Sequence, residues 1–417
     1  MENKLNNKTY YRIIFQLASA LSVGSGENQY SDGDIVRDSA GEPFIPGSSL
    51  AGIYRSFLKE EDAEKYFGTA RYGEEGAGSR VLVYDAKLYH PKKESFYRSV
   101  IRDCVALDEW KTGKEGSKFD FEVVEPGAEF VTYLEQNCEI GDKDIGKELA
   151  GIWKEGQIRI GRKTMRGLGS IKNVTVWRRN FEMGKREELD AWLDFDMYRE
   201  EDWKDSEFKE KETVELKQKE RIPIEFSLKQ KGGISIRRYT TKINTGQAQP
   251  DAEQLTCILG KDGKEIPYIP GSSWSGAFRH HMESLIPGCT KDYFGNCEQR
   301  SKVRFDESFI KGASEKILTR NAVDRFTGGV IETALFTEKM WYGGETVLRI
   351  EIPTDTDLRF RQALAASLVD LHMGILTVGG LTAVGRGIFE GEALSINNGP
   401  VPVNDKMFEQ ILERLAG

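Results

Sequence analysis

The chain has 417 residues, 39% of them hydrophobic, and its 59 Lys and Arg against 67 Asp and Glu give a formal net charge of −8. This length allows two or three domains with cores of their own. Because no apolar run approaches the length of a membrane span and the N-terminus MENKLNNKTYYR has no apolar signal region, we expect a soluble, cytoplasmic protein without membrane contact.

The first predicted element is a strand at YRIIFQLA, in which Ile13, Phe15 and Leu17 alternate onto one face. A polar loop with three acids follows. Acids in such loops are most often turn formers. The acids are Asp32, Asp34 and Asp38.

The phrase IPGSSLAGIYRSF, from Ile45, predicts a turn followed by a helix. Pro46 and Gly47 would form the turn, and Ser48 and Ser49 are candidate helix caps. The helix carries an apolar stripe on one face. The stripe consists of Leu50, Ile53, Tyr54, Phe57 and Leu58.

A later helix, IGKELAGIWKEG, leads into the glycine loop IGRKTMRGLGSIK and then into a strand. Glycines let the backbone approach a ligand closely and present N–H groups to anions. Basic residues interleave with these glycines, which favours contact with phosphates over a mere tight connection. They are Arg159, Arg162, Lys163, Arg166 and Lys172.

The acidity of the chain is concentrated in residues 181–220, which hold 15 Asp and Glu against 8 Lys and Arg, a net −7 that leaves −1 for all other residues. Basic surfaces are therefore compatible with the overall charge. We interpret this segment as a connector, with one helix around ELDAWLDFDMY.

The second half repeats the same landmarks in the same order. The strand IPIEFSLK is followed by an acidic loop, the phrase IPGSSWSGAFRHH from Ile269, a YFG motif, a late helix and the glycine loop VGGLTAVGRGIFE. Arg279 matches Arg55. Five of these landmarks match in order and indicate a duplication: the strand, the phrase, the YFG motif (residues 66–68 and 293–295), the late helix and the glycine loop. The second copy's loop acids are Asp251, Glu253 and Asp262, its inward strand residues Ile224, Phe226 and Leu228, and its helix stripe Trp274, Ala277, Phe278 and Met282.

Each copy predicts the order strand, helix, strand-rich middle, helix, glycine loop, strand. This is the βαββαβ ferredoxin-like pattern of the RNA-recognition motif, in the α+β class. We place a first domain at residues 1–180, the acidic linker at 181–220, a second domain at 221–395 and a tail at 396–417.

The five cysteines, Cys104, Cys138, Cys257, Cys289 and Cys297, form no CxxC pair and indicate reduced thiols. Cys257, Cys289 and Cys297 with His280 and His281 could bind zinc, but the irregular spacing favours buried thiols. No Ser-His-Asp or Cys-His arrangement stands out, and His280 and His281 are better explained as helix-surface residues.

The paired IPGSS helices, the two glycine loops and the segment RNAVDRFTGGVIETALF from Arg320 resemble the CRISPR-associated RAMP superfamily, above all the backbone subunits of type III effector complexes. Since both halves carry the set, the chain resembles a tandem fusion of two such subunits, as in type III-D-like systems. The resemblance implies two RAMP domains with inserted β-rich thumbs. It also implies three kinds of partner: guide crRNA, complementary target RNA and other effector subunits.

In that family the loop before the PGSS helix carries an Asp that cleaves target RNA with a divalent metal. The resemblance assigns this role and metal binding, with Mg²⁺ or Mn²⁺, to Asp32, with Asp34 second. The second loop departs from the family pattern, and Asp251 fits best with Glu253 as rival. Zinc is not implied.

The family's thumb hairpins kink the guide–target duplex. Here they would span Arg102 to about Pro126 and Arg320 to about Phe336, with Val105, Val323 or Phe326 as wedges or, equally, as plain hairpin core. The full set of predicted RNA-binding residues comprises Ser48, Ser49, Arg55, Arg102, Arg162, Lys163, Arg166, Gly167, Gly169, Ser272, Ser273, Arg279, Arg320, Arg325, Gly379, Gly380, Gly385, Arg386 and Gly387.

Three alternatives stay open. The chain could be a guide-binding scaffold without cleavage, or a RAMP-family guide-processing endoribonuclease, for which His372 and Lys163 are the only acid–base hints. A generic RNA-recognition protein is the third, and it is weakened because the chain has no aromatic RNP-type strand signature.

Overall fold

The structure is a computed structural model that describes residues 5–26, 32–69, 76–90, 97–107, 113–139, 142–204, 206–208, 221–237, 250–259, 263–296 and 298–416. Within these ranges no helix combines the length and the apolar character needed to cross a membrane. The chain divides into two compact units. The first comprises Met1–Arg102, Asp120–Thr164 and Leu168–Lys219, and the second Asp103–Phe119, Met165–Gly167 and Glu220–Gly417.

The first half of the chain contains nine strands and four α-helices among its described residues. The strands are β1 (Leu5–Leu17), β2 (Gly24–Gly26), β3 (Asp34–Ile35), β4 (Val81–Val83), β5 (Lys87–Leu88), β6 (Ser99–Leu107), β7 (Gly113–Val124), β8 (Glu129–Glu139) and β9 (Ile171–Glu182). The helices are α1 (Gly47–Phe57), α2 (Glu60–Phe67), α3 (Ile145–Lys154) and α4 (Arg186–Asp194).

The main sheet of the first unit has the order β4–β8–β1–β9, with β5 also paired to β8. Its pairs are antiparallel, and α1 and α3 lie between β1 and β4 and between β8 and β9 in the chain. This is the predicted βαββαβ arrangement. Alternation along β1 places Ile13, Phe15 and Leu17 in a core with α1 and α3, all three fully buried.

The acidic segment covers the opposite face of this sheet. Tyr10 and Tyr11 are neighbours on β1 and point to opposite faces of the sheet. On the face covered by the acidic segment, Tyr10 forms a second core with Tyr133, Phe181 and Trp203. Arg12 donates to Glu200 at 2.7 Å, so charge also holds the segment in place. The helix predicted in this segment is α4, and the described residues up to Phe208 pack on the first unit.

The second half contains twelve strands and three helices within the described ranges. The strands are β10 (Arg221–Gln230), β11 (Gly233–Ile234), β12 (Ala252–Glu253), β13 (Thr256–Ile258), β14 (Glu265–Ile269), β15 (Arg304–Phe305), β16 (Ser308–Phe309), β17 (Ser314–Val323), β18 (Val330–Tyr342), β19 (Glu345–Pro353), β20 (Phe389–Ile396) and β21 (Gly399–Val401). The helices are α5 (Gly271–Leu285), α6 (Leu358–His372) and α7 (Met407–Ala416).

The main sheet of the second unit repeats the first, with the order β15–β19–β10–β20–β21. Ile224, Phe226 and Leu228 on β10 are buried, as the alternation predicts, and they share one core with α5 and α6. The C-terminal residues add β21 and α7, whose Ile411 and Leu415 are buried in the same core. Both halves therefore have the predicted α+β, ferredoxin-like fold.

The hairpins predicted as thumbs are present in both halves. In the first half β6 pairs with β7, and in the second β17 pairs with β18. Each hairpin lies in the chain between the second and third strands of its main sheet, where the sequence shows a strand-rich insertion.

The prediction that Ser48 and Ser49 cap the first helix is wrong, and so is its counterpart for Ser272 and Ser273. The helix N-caps are Pro46 and Pro270, without side-chain hydrogen bonds. The Gly47 N–H instead donates to Asp85 Oδ1 at 2.7 Å. A Cβ on Gly47 would overlap the Val83 carbonyl, and a Cβ on Gly271 would overlap that of Phe305, so the repeated glycine lets each helix start directly against a strand.

Candidate nucleic-acid interface

The loop that carries Asp32 lies along strand β7 of the first hairpin. The Asp32 N–H donates to Asp120 Oδ1 at 2.9 Å, and the Asp120 N–H donates to Asp32 Oδ2 at 3.0 Å. Two residues on, the Glu122 N–H donates to the Gly33 carbonyl at 2.9 Å, and Arg37 pairs with the Glu122 carboxylate at 2.5 Å. These contacts hold an exposed Asp32 at the base of the hairpin.

Asp251 occupies the corresponding place in the second unit. Its N–H donates to the Thr337 carbonyl at 2.7 Å, and the Thr337 N–H donates to Asp251 Oδ2 at 2.9 Å. Thr337 lies on β18, the second strand of that hairpin, as Asp120 lies on β7. Asp251 is exposed as well. The two loops differ in length, yet each unit presents an aspartate at the same place.

The two glycine loops have the same backbone conformation. Positive φ recurs at four matched positions, including a lysine at 56° and a leucine at 57°, and both loops contain a 3-10 turn at the same point. Gly169 and Gly387 lie so close to the carbonyls of Ile160 and Val378 that a Cβ would overlap them. The matched positions are Gly161 with Gly379, Lys163 with Leu381, Gly167 with Gly385 and Gly169 with Gly387.

The first glycine loop brings cations next to the Asp32 loop. The exposed Arg162 extends across Gly24, where a Cβ would overlap its guanidinium, and its Nη1 lies 3.3 Å from the Cβ position of Gly33. The Lys163 ammonium lies 3.9 Å from the centre of the Phe121 ring. Arg166 is exposed, and Gly167 lies against the main chain at Glu307. Arg162 therefore adds a positive charge beside the residue that follows Asp32.

The second glycine loop has different side chains at these positions. Gly380, Leu381 and Val384 stand where the first loop has Arg162, Lys163 and Arg166. Its arginine, Arg386, is largely buried, and its guanidinium lies 4.0 Å from the carboxylate of Glu338. Arg386, the predicted RNA-binding arginine of this loop, thus faces the Glu338 carboxylate of its own unit.

Glu338 is the centre of a buried charge cluster at the base of the second hairpin. Its side chain is 0% exposed, and its Oε2 accepts a hydrogen bond from Arg320. A buried carboxylate needs such partners because desolvation of a charge is costly. Arg320, a second predicted RNA ligand, therefore also contacts Glu338.

Arg55 and Arg279 have matched structural contacts. Arg55 donates to the Gly68 carbonyl at 2.8 Å and Arg279 to the Gly295 carbonyl at 3.2 Å. Both glycines belong to the YFG motifs and have positive φ. The arginine of each repeated phrase thus holds the turn of the following YFG motif. Ser48 and Ser272 are exposed, while Ser49 and Ser273 are half-buried.

The remaining hairpin candidates differ between the two halves. Arg102 and Val105 are half-buried on β6. In the second hairpin Arg325 and Val323 are exposed, and Phe326 at the tip is 91% exposed. The tip is ordered by Asp324, whose Oδ1 accepts the N–H groups of residues 326 and 327. Because so exposed a phenyl ring has no core function, the wedge interpretation suits Phe326 better than hairpin core.

The other predicted acids have less distinctive positions. Asp34 is half-buried on β3, and Asp38 Oδ1 accepts the N–H groups of residues 40 and 42, an ordinary turn contact. Glu253 lies on β12 beside Lys339 of β18. Asp262 lies outside the described residues.

The predicted zinc ligands are only partly described. Cys257 and Cys289 are buried, while Cys297 lies outside the described residues. His281 contacts Asp370 at 2.6 Å, and His280 is exposed on α5. The described parts of the chain contain no group of three or more His, Cys, Asp or Glu arranged for a metal. Burial raises the pKa of the Cys289 thiol, which disfavours the thiolate that zinc binds.

Three residues of the interface escaped the sequence analysis: Asp120, Thr337 and Glu338. Each lies on the second hairpin strand, and Asp120 and Thr337 are 88 and 86 residues from the aspartates they contact. No local signal marks Glu338, which stands between two polar residues just beyond Phe336, the predicted end of the second hairpin.

Comparison with known protein families identifies the family of this chain. The family profile of the RAMP superfamily matches residues 15–172 and 251–390, so it covers most of the chain in two separate regions. The chain belongs to the RAMP superfamily. The two regions correspond to the two copies found by internal repetition, and each RAMP domain contains one aspartate loop and one glycine loop.

Among solved structures, two matches are cryo-EM structures of a type III-B Cmr-beta complex. One is bound to cognate target RNA, with 16% identity over 42% of this chain and 61% of the matched chain, and a TM-score of 0.30. The other is in the apo state, with 16% identity over 39% of this chain and 95% of the matched chain, and a TM-score of 0.31. No curated protein sequence matches the chain.

Proposed function

We propose that this RAMP protein is a backbone subunit of a type III CRISPR effector complex, which binds guide RNA and cleaves complementary target RNA at two places. One observation carries the proposal: both units hold an exposed aspartate, Asp32 or Asp251, against the second strand of an inserted hairpin. A purely structural role does not require an exposed carboxylate at the same place in both units. Two cleavage centres in one chain do require it.

RNA binding is supported by the charge at the first glycine loop. Arg162 and Arg166 are exposed, and backbone contacts from such residues give affinity without regard to sequence. Base pairing with the guide would supply the choice of target. The partners we propose are therefore guide crRNA, complementary target RNA and neighbouring effector subunits.

The carboxylates suit a hard divalent cation. Asp32 supplies carboxylate oxygens at the first site and Asp251 supplies them at the second, and such oxygens are the donors that Mg²⁺ and Mn²⁺ prefer. Such a cation, when bound, stabilises the negative charge that develops on a phosphate under attack.

The attacking group can come from the RNA itself. A 2′-hydroxyl attacks the adjacent phosphorus when the backbone is held in line, and its proton passes to water. A 2′,3′-cyclic phosphate forms as the bond to the 5′-oxygen breaks, and this oxygen takes a proton from water and leaves as a 5′-hydroxyl. In this chain the hairpin would hold the backbone and the aspartate would lie beside the phosphate. No histidine pair is needed, which agrees with a sequence of only four histidines.

The guide-processing alternative is weakened by its own candidate residues. His372 Nδ1 accepts a hydrogen bond from the Gly391 N–H at 3.2 Å, so this nitrogen already has a partner within the domain. The Lys163 ammonium lies on the Phe121 ring. The other alternative, a scaffold subunit, would make the same RNA contacts as the proposed subunit and would differ from it only in not cleaving the target RNA.

The function is tested with the complex assembled on a guide RNA and given labelled complementary RNA. We expect cleavage into discrete products with Mg²⁺ or Mn²⁺, and no cleavage with EDTA or with a non-complementary RNA. Guide RNA should stay bound in all cases. Retention of the guide without cleavage in either metal would contradict the enzymatic part and favour the scaffold.

Reversing two charges of the first glycine loop, Arg162→Glu with Arg166→Glu, should weaken guide binding more than tenfold at moderate salt, whatever the guide sequence. Each lost phosphate contact should also lower the slope of log K against log salt by about 0.7 for a single strand. Fluorescence anisotropy with a labelled guide measures both. Lys185→Glu with Arg186→Glu makes the same charge change at the start of α4 and should leave affinity unchanged within threefold. An equal loss in both variants would argue against a specific role for the loop.

A further inference from the structure

We infer that Asp120 is a positioning residue for the Asp32 cleavage site: from the hairpin strand β7 its carboxylate holds the main chain of Asp32 and thereby places the Asp32 carboxylate. This rests on the proposed function, because it assigns a task at the site where cleavage is proposed. It makes the first hairpin a part of the cleavage site and not only a wedge in the RNA.

Two reciprocal hydrogen bonds join the two aspartates. Asp32 gives its N–H to the Asp120 carboxylate at 2.9 Å, and the Asp120 N–H is given to Asp32 Oδ2 at 3.0 Å. The first bond fixes the main chain of Asp32, and the second fixes its side chain. Since the two oxygens of a carboxylate diverge, a bond to Oδ2 also determines where Oδ1 points. Hydrogen bonds of a charged group are the stronger kind, so both should persist at an exposed site.

The same strand holds the rest of the loop. The Glu122 N–H donates to the Gly33 carbonyl at 2.9 Å, and its carboxylate accepts the Ile35 N–H at 3.2 Å and pairs with Arg37. Asp120 and Glu122 are two apart on β7 and so face the loop from one side of the strand. A shift of this strand, as when a hairpin meets RNA, would therefore move Asp32 with it.

The second unit provides an internal comparison. There two hydrogen bonds join Asp251 to the residue at the matching position, Thr337, and both use main-chain groups of Thr337. The Thr337 hydroxyl is turned to Thr319 on the other strand of the hairpin, at 3.2 Å. These two bonds at the second site therefore do not depend on the side chain at this position. Substitution should affect one site and spare the other.

Asp120 could instead act as a direct ligand of the divalent cation, and the two roles have different chemical requirements. A positioning residue needs a hydrogen-bond acceptor and its own N–H, both of which asparagine retains. A cation ligand needs the negative charge, which asparagine lacks. Asp120→Asn therefore separates the two roles, and Asp120→Ala removes the carboxylate that would serve either role while it keeps the N–H that bonds to Asp32 Oδ2.

The experiment uses the assembled complex with Mg²⁺ and follows the Asp32-dependent and Asp251-dependent products from one labelled target. We expect Asp120→Ala to slow the Asp32-dependent cut by 10- to 100-fold, about the loss seen when an orienting partner of a metal-site group is removed. Asp120→Asn should cut within about threefold of wild type. Thr337→Ala should leave both cuts unchanged.

The Asp251-dependent product is a control for folding within the same molecule. An unchanged Asp32-dependent cut in Asp120→Ala overturns the inference, and so does an Asp120→Asn variant as slow as Asp120→Ala, since charge would then be the requirement. If Asp120→Ala loses both products, the rate of the Asp32-dependent cut in the nearly isosteric Asp120→Asn variant decides between the two roles. Failure of the proposed function appears separately, as an Asp32→Ala variant that loses no product.

Discussion

Replacing Asp32 by alanine is expected to remove one set of target-RNA products and leave the other, and Asp251→Ala should do the reverse. Each change removes a carboxylate placed at a hairpin base, and groups that stabilise developing charge are commonly worth on the order of 100-fold or more in rate. The double variant should therefore cut neither place while retaining guide RNA, because neither aspartate belongs to the basic loop. Gel analysis of end-labelled target measures each product separately.

Neighbouring acids supply the controls for this experiment. Asp34→Ala and Glu253→Ala test the second-ranked acids of the two loops, and we expect both cuts to persist in each. Asp38→Ala breaks only a turn contact and should cut like wild type. Unchanged products in all variants, including the double, would make this protein a scaffold and place the cleavage in another subunit.

The repeated sequence predicted the fold well because its landmarks are local. The alternation of Ile13, Phe15 and Leu17 and the helix stripe that begins at Leu50 report burial directly. All these residues proved to be buried except Ile53, which is half-buried. Duplication then doubled each signal, since a feature present in both halves at matched places is hard to obtain by chance. The hairpins were expected on other grounds, from the resemblance to a family with inserted thumbs.

What the sequence could not reveal depends on long-range register. Ser48 and Ser49 have the composition of a helix cap, but the N–H at the helix start is satisfied by Asp85, 38 residues later, because Gly47 lies against that strand. Asp120 has no distinguishing neighbour in sequence. Its partnership with Asp32 exists because β7 runs beside the loop, and no local pattern encodes which hairpin residue will meet which loop residue.

The two glycine loops show how one backbone can serve two units differently. Their φ values agree at each matched position, so the conformation is a property of the duplicated fold. Their side chains diverge together with those of the hairpin. Where the first half has the buried, apolar Phe121 and Leu168, the second has Glu338 and Arg386 at the matching positions. In the second half a buried acid and a largely buried base thus occupy the places of a buried apolar pair.

This paired difference leads to a second large expected effect. Glu338→Ala should lower the free energy of unfolding of the second unit by about 3–5 kcal/mol, because it leaves Arg386 without its counter-charge in a buried site. Arg320 contributes less to this loss, since its side chain is 39% exposed and water can screen it. Urea unfolding of the purified chain, followed by tryptophan fluorescence, measures the shift of the second unit's transition.

The first half provides the matched control for Glu338. Glu338→Phe with Arg386→Leu reproduces the apolar pair of Phe121 and Leu168, and replacement of a buried ion pair by apolar residues of similar volume is often neutral or stabilising. We therefore expect this double variant to unfold within about 1–2 kcal/mol of wild type, well above Glu338→Ala. A Glu338→Ala variant as stable as wild type would show that the charges are not coupled. A double variant no better than the single would show that the second unit cannot accept the packing of the first.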